Sequence, residues 1–92
     1  MSFYLKDPQS RVDYGIDWTG YLGPQTLTGS LWSVTPEEVG GIAIDASSFD
    51  LLRTAATLSG GLDGHVYTVS NLATFSDGRR DQRSICLRVE QR

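Results

Sequence analysis

From His65 to Phe75 the chain reads HVYTVSNLATF, which places Tyr67, Val69, Asn71, Ala73 and Phe75 on one parity and Thr68, Ser70, Leu72 and Thr74 on the other. A helix would scatter these positions around its circumference, whereas a β-strand sets every second residue on the same side. Val, Tyr, Thr and Phe are also residues that pack well on a pleated surface. The segment predicts a long central strand. Such a strand needs neighbours on its edges and a second layer over its apolar face, so it dictates the kind of fold around it.

The rest of the chain supplies those neighbours. Arg11 to Trp18 (RVDYGIDW) sets Val12, Tyr14, Ile16 and Trp18 against Asp13, Gly15 and Asp17, a half-buried strand with a wet face. Thr19 to Gln25, with Gly20, Gly23 and Pro24, reads as a turn, and Thr26 to Val34 (TLTGSLWSV) as a second strand. Pro36, Glu37 and Glu38 could open a helical turn, but Gly40 and Gly41 stop it and leave a loop. Gly41 to Ala46 places Ile42 and Ile44 on one side of a third strand. In Leu51 to Leu58 (LLRTAATL) the composition suits a helix, yet Ser59, Gly60 and Gly61 cut it at about two turns, and a strand over Arg53 to Leu58 is the better reading. Asp77-Gly78 is a hairpin signal. After it, Ser84 to Glu90 (SICLRVE) turns Ile85, Leu87 and Val89 inward and Ser84, Cys86 and Arg88 outward.

Six strands, seven if Phe3 to Leu5 pairs, recur at about ten-residue spacing between Gly and Pro turns, the pattern of an all-β sandwich of antiparallel sheets. The expected organisation is a short N-terminal arm or edge strand, residues 1–10, followed by one domain, residues 11–92. Asp63, Tyr67 and Val69 are spaced like the Asp, the corner tyrosine and the second cysteine of immunoglobulin domains, so the expected sandwich is immunoglobulin-like. Val69 stands where that cysteine would be. No inter-sheet disulfide is then possible, which suits a reducing compartment, and Trp18 or Trp32 is expected to supply the bulk that packs across the sheets.

Ninety-two residues make a small core, and one cysteine and one histidine leave packing or neighbouring subunits to support it. Charge is divided: residues 1–78 carry three basic residues against nine acids (−6), and residues 79–92 carry five arginines against two acids (+3). This division suits contact between copies or an anionic partner, and equally the solvated ends of strands. No apolar run approaches the length of about 20 residues that crosses a membrane, and MSFYLKDP lacks the order of a signal peptide, so synthesis and residence in a cytoplasm are expected.

Enzymatic arrangements are not supported, and no catalytic, cofactor or metal residue is assigned. Asp13 and Asp17 share a face but lie about 13–14 Å apart along a strand, beyond the separation of roughly 6.5–9.5 Å of an inverting carboxylate pair. His65 and Ser59 lack a nucleophile elbow, and Cys86 beside Arg88 is at most sensitive to oxidation. Gly40-Gly41 and Ser59-Gly60-Gly61 lack the spacing of a phosphate loop. Asp63 and Asp77, which might approach one another at loop ends and hold calcium, each precede a Gly in a turn dipeptide that explains them without an ion. Arg79, Arg80, Arg83, Arg88 and Arg92 have neither interleaved aromatics nor a groove-entering helix, so nucleic acid is not an expected partner.

Binding through surfaces is left. Phe3, Tyr4 and Leu5 form an apolar arm that must bury against its own sandwich or a neighbour, Tyr21 and Leu22 form a second candidate contact, and Arg79, Arg80 and Arg83 a basic one. A carbohydrate- or receptor-binding module is the alternative, and its signature would be Trp18, Trp32 or Tyr21 exposed on a flat or concave face.

The blocks KDPQSRVDYGIDWTGYLG, LWSV, LSGG followed by YTVSN, and DGRRDQRSICLRV, in that order, resemble a family of short phage and prophage virion proteins, the fiber-tail adaptor or neck-associated proteins with an immunoglobulin-like fold. Pro36 to Asp50 follows no block of that pattern. The resemblance implies a structural protein without enzymatic activity or cofactor, binding other tail, neck or fiber proteins in a homo-oligomeric ring of the virion.

Overall fold

The computed structural model describes residues 2–91, with the backbone alone for Ser2 and Phe3. These residues form β1 (Ser2–Lys6), β2 (Val12–Asp17), a single helical turn α1 (Thr19–Leu22), β3 (Leu27–Thr35), β4 (Ile42–Phe49), β5 (Arg53–Gly60), β6 (Val66–Phe75) and β7 (Arg80–Val89). One sheet has the order β1-β7-β6-β3 and the other β2-β5-β4, and the two pack as an all-β sandwich.

The expected central strand is β6, held between β3 and β7. Its alternation is realised: Tyr67, Val69, Asn71, Ala73 and Phe75 are all buried. They meet Ile85, Leu87 and Val89 of β7, Trp32 and Val34 of β3, and Leu58, Ala56 and Ile16 of the facing sheet in one core. Fully burying a side chain of this size contributes about 1.5–3 kcal/mol.

Asn71 is a polar residue on this inward face and is itself fully buried. Its Oδ1 accepts from Thr54 Oγ1 at 2.7 Å and from Trp18 Nε1 at 3.2 Å, and its Nδ2 donates to Ser30 Oγ at 2.9 Å and to Leu31 O at 3.3 Å. Thr54 lies on β5 of the sheet opposite and Trp18 directly follows β2 of that sheet, so one amide ties the two layers together through satisfied bonds, the condition under which a buried polar group is tolerated. Trp18, edge-on to Phe75 at 6.0 Å, fills the interior beside it.

Three local features differ from the sequence expectation. All neighbouring strands pair antiparallel except β1, which runs parallel to β7 with Ser2 opposite Ile85 and Lys6 opposite Val89. The turn over Asp7–Ser10 carries the chain across to the other sheet, so β1 must end beside the end of β7, where that crossing begins. Within the expected turn over Thr19–Gln25 the chain closes one helical turn, which rolls Leu22 into the core. β4 continues past Ala46 to Phe49, with a bulge between Ile44 and Ala46 at Asp45. The bulge resets the parity there, and Ala46-Ser47-Ser48 carries no apolar alternation by which to read a strand.

Lys6 secures the crossing. It is buried, and its Nζ donates to the carbonyls of Ser10 and Gly60, both at 2.7 Å, and of Asp7 at 3.0 Å. Burial lowers its pKa from the ordinary lysine value, against the opposing pull of Asp7 and Asp45. Gly60 and Gly61 are required where β5 ends. Both have positive φ, and a Cβ at Gly61 would stand 2.5 Å from Val89 Cγ2.

Candidate partner interface

Along one side of the sandwich β1 and β7 in one sheet face β2 in the other, and the residues that line this seam are aromatic and basic. Tyr4 of β1 meets Tyr14 of β2 edge-on at 5.6 Å, bridging the sheets. Burial, reinforced by the hydrogen bond with Tyr4, pushes the Tyr14 phenol up to about 12, while Arg83 pulls the other way. A groove of about 570 Å³ opens beside the pair, lined among others by Ile16, Asp17, Gln82, Arg83 and Ser84. The Arg83 guanidinium lies 5.2 Å above the ring of Tyr21, and Tyr21 sits edge-on to Trp18 at 5.7 Å. A surface cation therefore rests on an exposed ring, and that ring on the buried tryptophan that Asn71 holds.

The candidate contact residues are thus partly gathered. Tyr4, Tyr21 and Arg83 border this one face, and Leu5 lies on β1 beside it, about half exposed. The side chain of Phe3 lies outside the described residues. Leu22, expected to share an exposed loop knob with Tyr21, is 1% exposed and belongs to the core, because α1 directs it inward. Arg79 is engaged by Asp77 at 2.6 Å and lies over Phe75 at 5.9 Å, while Arg80 is exposed on the first residue of β7.

Trp18 and Trp32 are both buried, so the exposed tryptophan platform that a glycan-binding face needs is absent, and Tyr21 carries Arg83 over its ring. Asp63 and Asp77 stand at opposite ends of the ten-residue strand β6, too far apart to share an ion; Asp63 accepts from Gln91 N and Asp77 from Arg79 N. Among the described residues no group of three or more His, Cys, Asp or Glu could hold a metal ion, and no helix is long and apolar enough to cross a membrane.

His65 is more than a loop residue. Its Nδ1 lies 2.8 Å from Glu38 Oε1, the same oxygen that accepts from the Tyr67 hydroxyl at 2.5 Å, and its ring stacks on Tyr67 at 6.4 Å. Tyr67 in turn accepts from Leu62 N at 3.1 Å. The bonds from Tyr67 and His65 hold the Glu38 carboxyl below its usual range, and burial together with Glu38 raises the Tyr67 phenol. The cluster pins the β3–β4 and β5–β6 loops together at one end of the sandwich.

Sequence reasoning missed an apolar tip at the other end. Phe49, Leu51 and Leu52 are exposed on the β4–β5 hairpin, whose backbone is fixed by Leu27 N donating to Leu51 O at 2.9 Å and Trp18 N to Leu52 O at 3.0 Å. The signal is present as two leucines directly after Asp50 and ahead of the strand read from Arg53, but neither stands out as a contact residue by spacing.

The class is that of small all-β sandwich domains, here without a disulfide and with a groove, an exposed β1 and one apolar loop tip at the surface. Within it the family is specific. The family model described as podophage GP4 fiber-tail adaptor protein gp77 matches residues 6–88, nearly the whole chain, and the chain belongs to that family of phage fiber-tail adaptors. No curated protein matches the chain.

Proposed function

We propose that this chain is a non-enzymatic structural adaptor of a phage or prophage virion, assembled in the bacterial cytoplasm and joining tail, neck or fiber proteins as one of many copies in a ring. The observation that carries this reading is the family match over residues 6–88. In the proposed arrangement an immunoglobulin-like sandwich, residues 11–92 with β1 as its edge strand, presents Tyr4, Leu5, Tyr21 and Arg83 along the seam between its sheets, with Phe3, Arg79 and Arg80 at the margins of that surface. An arginine and aromatic rings on a rigid frame are the residue types that anchor protein interfaces. Weak contacts repeated around a ring add through effective concentration, and binding to neighbours stabilises a small folded domain.

The test is made on particles. Virions assembled without the coding sequence are expected to lack attached fibers and to regain them when the chain is supplied in trans, and Tyr21→Ala with Arg83→Ala should fold but fail to restore them. Particles that lack the chain and still carry a full set of fibers would overturn the proposal.

A further inference from the structure

The two outward faces of the sandwich differ in charge. That of β2-β5-β4 carries Asp13, Asp17, Asp45 and Arg53, bonded to hydroxyls or to one another across the strands. On β3, β6 and β7 the residues turned away from the core fall into rows that cross the three strands in register. One row is Ser33, Ser70 and Ser84, and the next is Leu31, Leu72 and Gln82. Neither holds a charge, and on β3 and β6 the rows to either side, which contain Thr68 and Thr74, are neutral as well. Leu31 is 64% exposed, so an apolar ridge stands beside a trough of small side chains on a dry face.

We infer that this face is a contact between two copies of the chain, packed sheet on sheet with the leucine row of each over the serine row of the other. Successive rows on one side of a strand lie about 6.8 Å apart. A two-fold axis between the facing sheets, parallel to the rows and midway between ridge and trough, carries each onto the other. It sets Leu31 over Ser33 of the second copy, Leu72 over Ser70, and Thr74 over Thr68. Strands then run antiparallel across the contact, within the small crossing angle of aligned sheets, and the side chains interdigitate. The trough is cheap to dry, because the Ser70 and Ser84 hydroxyls already bond one another at 2.7 Å. Charge selects the occupant. A neutral face meets its own copy without like-charge repulsion, whereas the acidic face of the other sheet would have to bury its aspartates against leucine. Three strands about 4.8 Å apart and four rows span roughly 400 Å² on each copy, the low end for specific contacts. Tyr4 and Arg83 stand on the opposite parity of their strands, so the seam between the sheets stays free. The contact requires no other virion protein and goes beyond the adaptor reading.

Sedimentation of the purified chain over a concentration series tests it. A contact of this size is weak, and the chain is expected to pass from monomer to dimer at roughly 100 µM. Leu31→Asp alone and Ser33→Arg alone, both at exposed positions of the edge strand β3, should each weaken the dimer by roughly tenfold or more, since each sets a charge twice against a dried neutral surface. Mixing the two variants should restore association as a heterodimer, because one symmetry-related pair then joins the introduced charges and the other keeps leucine on serine. Ser48→Arg, an equally exposed change on the outward face of the other sheet, should leave the dimer as it is. Circular dichroism confirms folding of each variant. A chain still monomeric at about 1 mM overturns the inference. So does a dimer that tolerates Leu31→Asp, one that Ser48→Arg weakens as much, or folded single variants that fail to associate when mixed. Should Leu31→Asp bar the chain from particles while the purified parent chain stays monomeric, the face meets another virion protein and the inference falls. Dimers of a chain that particles never contain would support this contact and remove the adaptor reading alone.

Discussion

Asn71→Leu keeps the bulk of the side chain at the centre of the core and removes four hydrogen bonds at once. The cost follows from what each partner can do afterwards. Trp18 Nε1 still has Thr54 Oγ1 at 3.1 Å, and the partly exposed Ser30 can turn to water, but the hydroxyl proton of fully buried Thr54 has lost its acceptor. One orphaned buried donor costs about 1–3 kcal/mol, and the further bonds lost bring the expected destabilisation to about 2–4 kcal/mol. A domain of this size holds about 5–15 kcal/mol in total, so the midpoint of thermal unfolding should fall by roughly 10–25 °C. Urea unfolding gives the free energy directly. Thr54→Val closes a double-mutant cycle: with the hydroxyl already gone, Asn71→Leu should cost less by at least about 1 kcal/mol. A loss below about 0.5 kcal/mol for Asn71→Leu, or costs that simply add, would refute the argument that this amide holds the sheets together.

Leu22→Ala should destabilise the domain by about 2–5 kcal/mol in chemical denaturation, as truncation of a core residue does, while Tyr21→Ala next to it should cost about 1 kcal/mol. Lys6 titrates below its ordinary value when folded, so the unfolded chain binds the proton more tightly. Stability should therefore rise with pH from the lowered folded pKa up to the ordinary lysine value of about 10.4, and Lys6→Met should flatten that rise in urea titrations run at stepped pH. Glu38 has the opposite sense: its contribution is present above the ordinary glutamate value and is lost as pH falls through its lowered folded value. Glu38→Gln should hence be less stable than the parent chain at neutral pH, with the gap closing in acid; a gap of constant size would show that the bonds from Tyr67 and His65 are not responsible.

The strands were legible because their faces alternate, and β6 most of all, since each of its five inward residues is buried. Parity places a residue on a face but says nothing about its partners. It put Asn71 inside without revealing Thr54, Trp18 and Ser30, which lie on three other elements. It also failed wherever period two is broken, at the Asp45 bulge and in the helical turn that buries Leu22. The seam surface was half legible. Tyr4, Tyr21 and Arg83 stood out as large or charged residues in arm, loop and strand end, but Tyr14 looked like ordinary core until the edges of two sheets brought it against Tyr4. Lys6 gave no sign of burial, because its three carbonyl partners are backbone atoms contributed by the turn after β1 and by the end of β5.

The pairing of β1 with β7 sets the order of events during synthesis. β1 leaves the ribosome well before β7, yet among the described residues β7 is the one strand it pairs with. Until then its backbone groups have only water as partner, and the Lys6 ammonium has no Gly60 carbonyl to reach until β5 is in place. A contact spanning nearly the whole sequence is entropically costly and forms late. The exposed aromatic arm therefore acquires its final geometry only in a chain translated through β7, and interrupted chains cannot present the seam between the sheets.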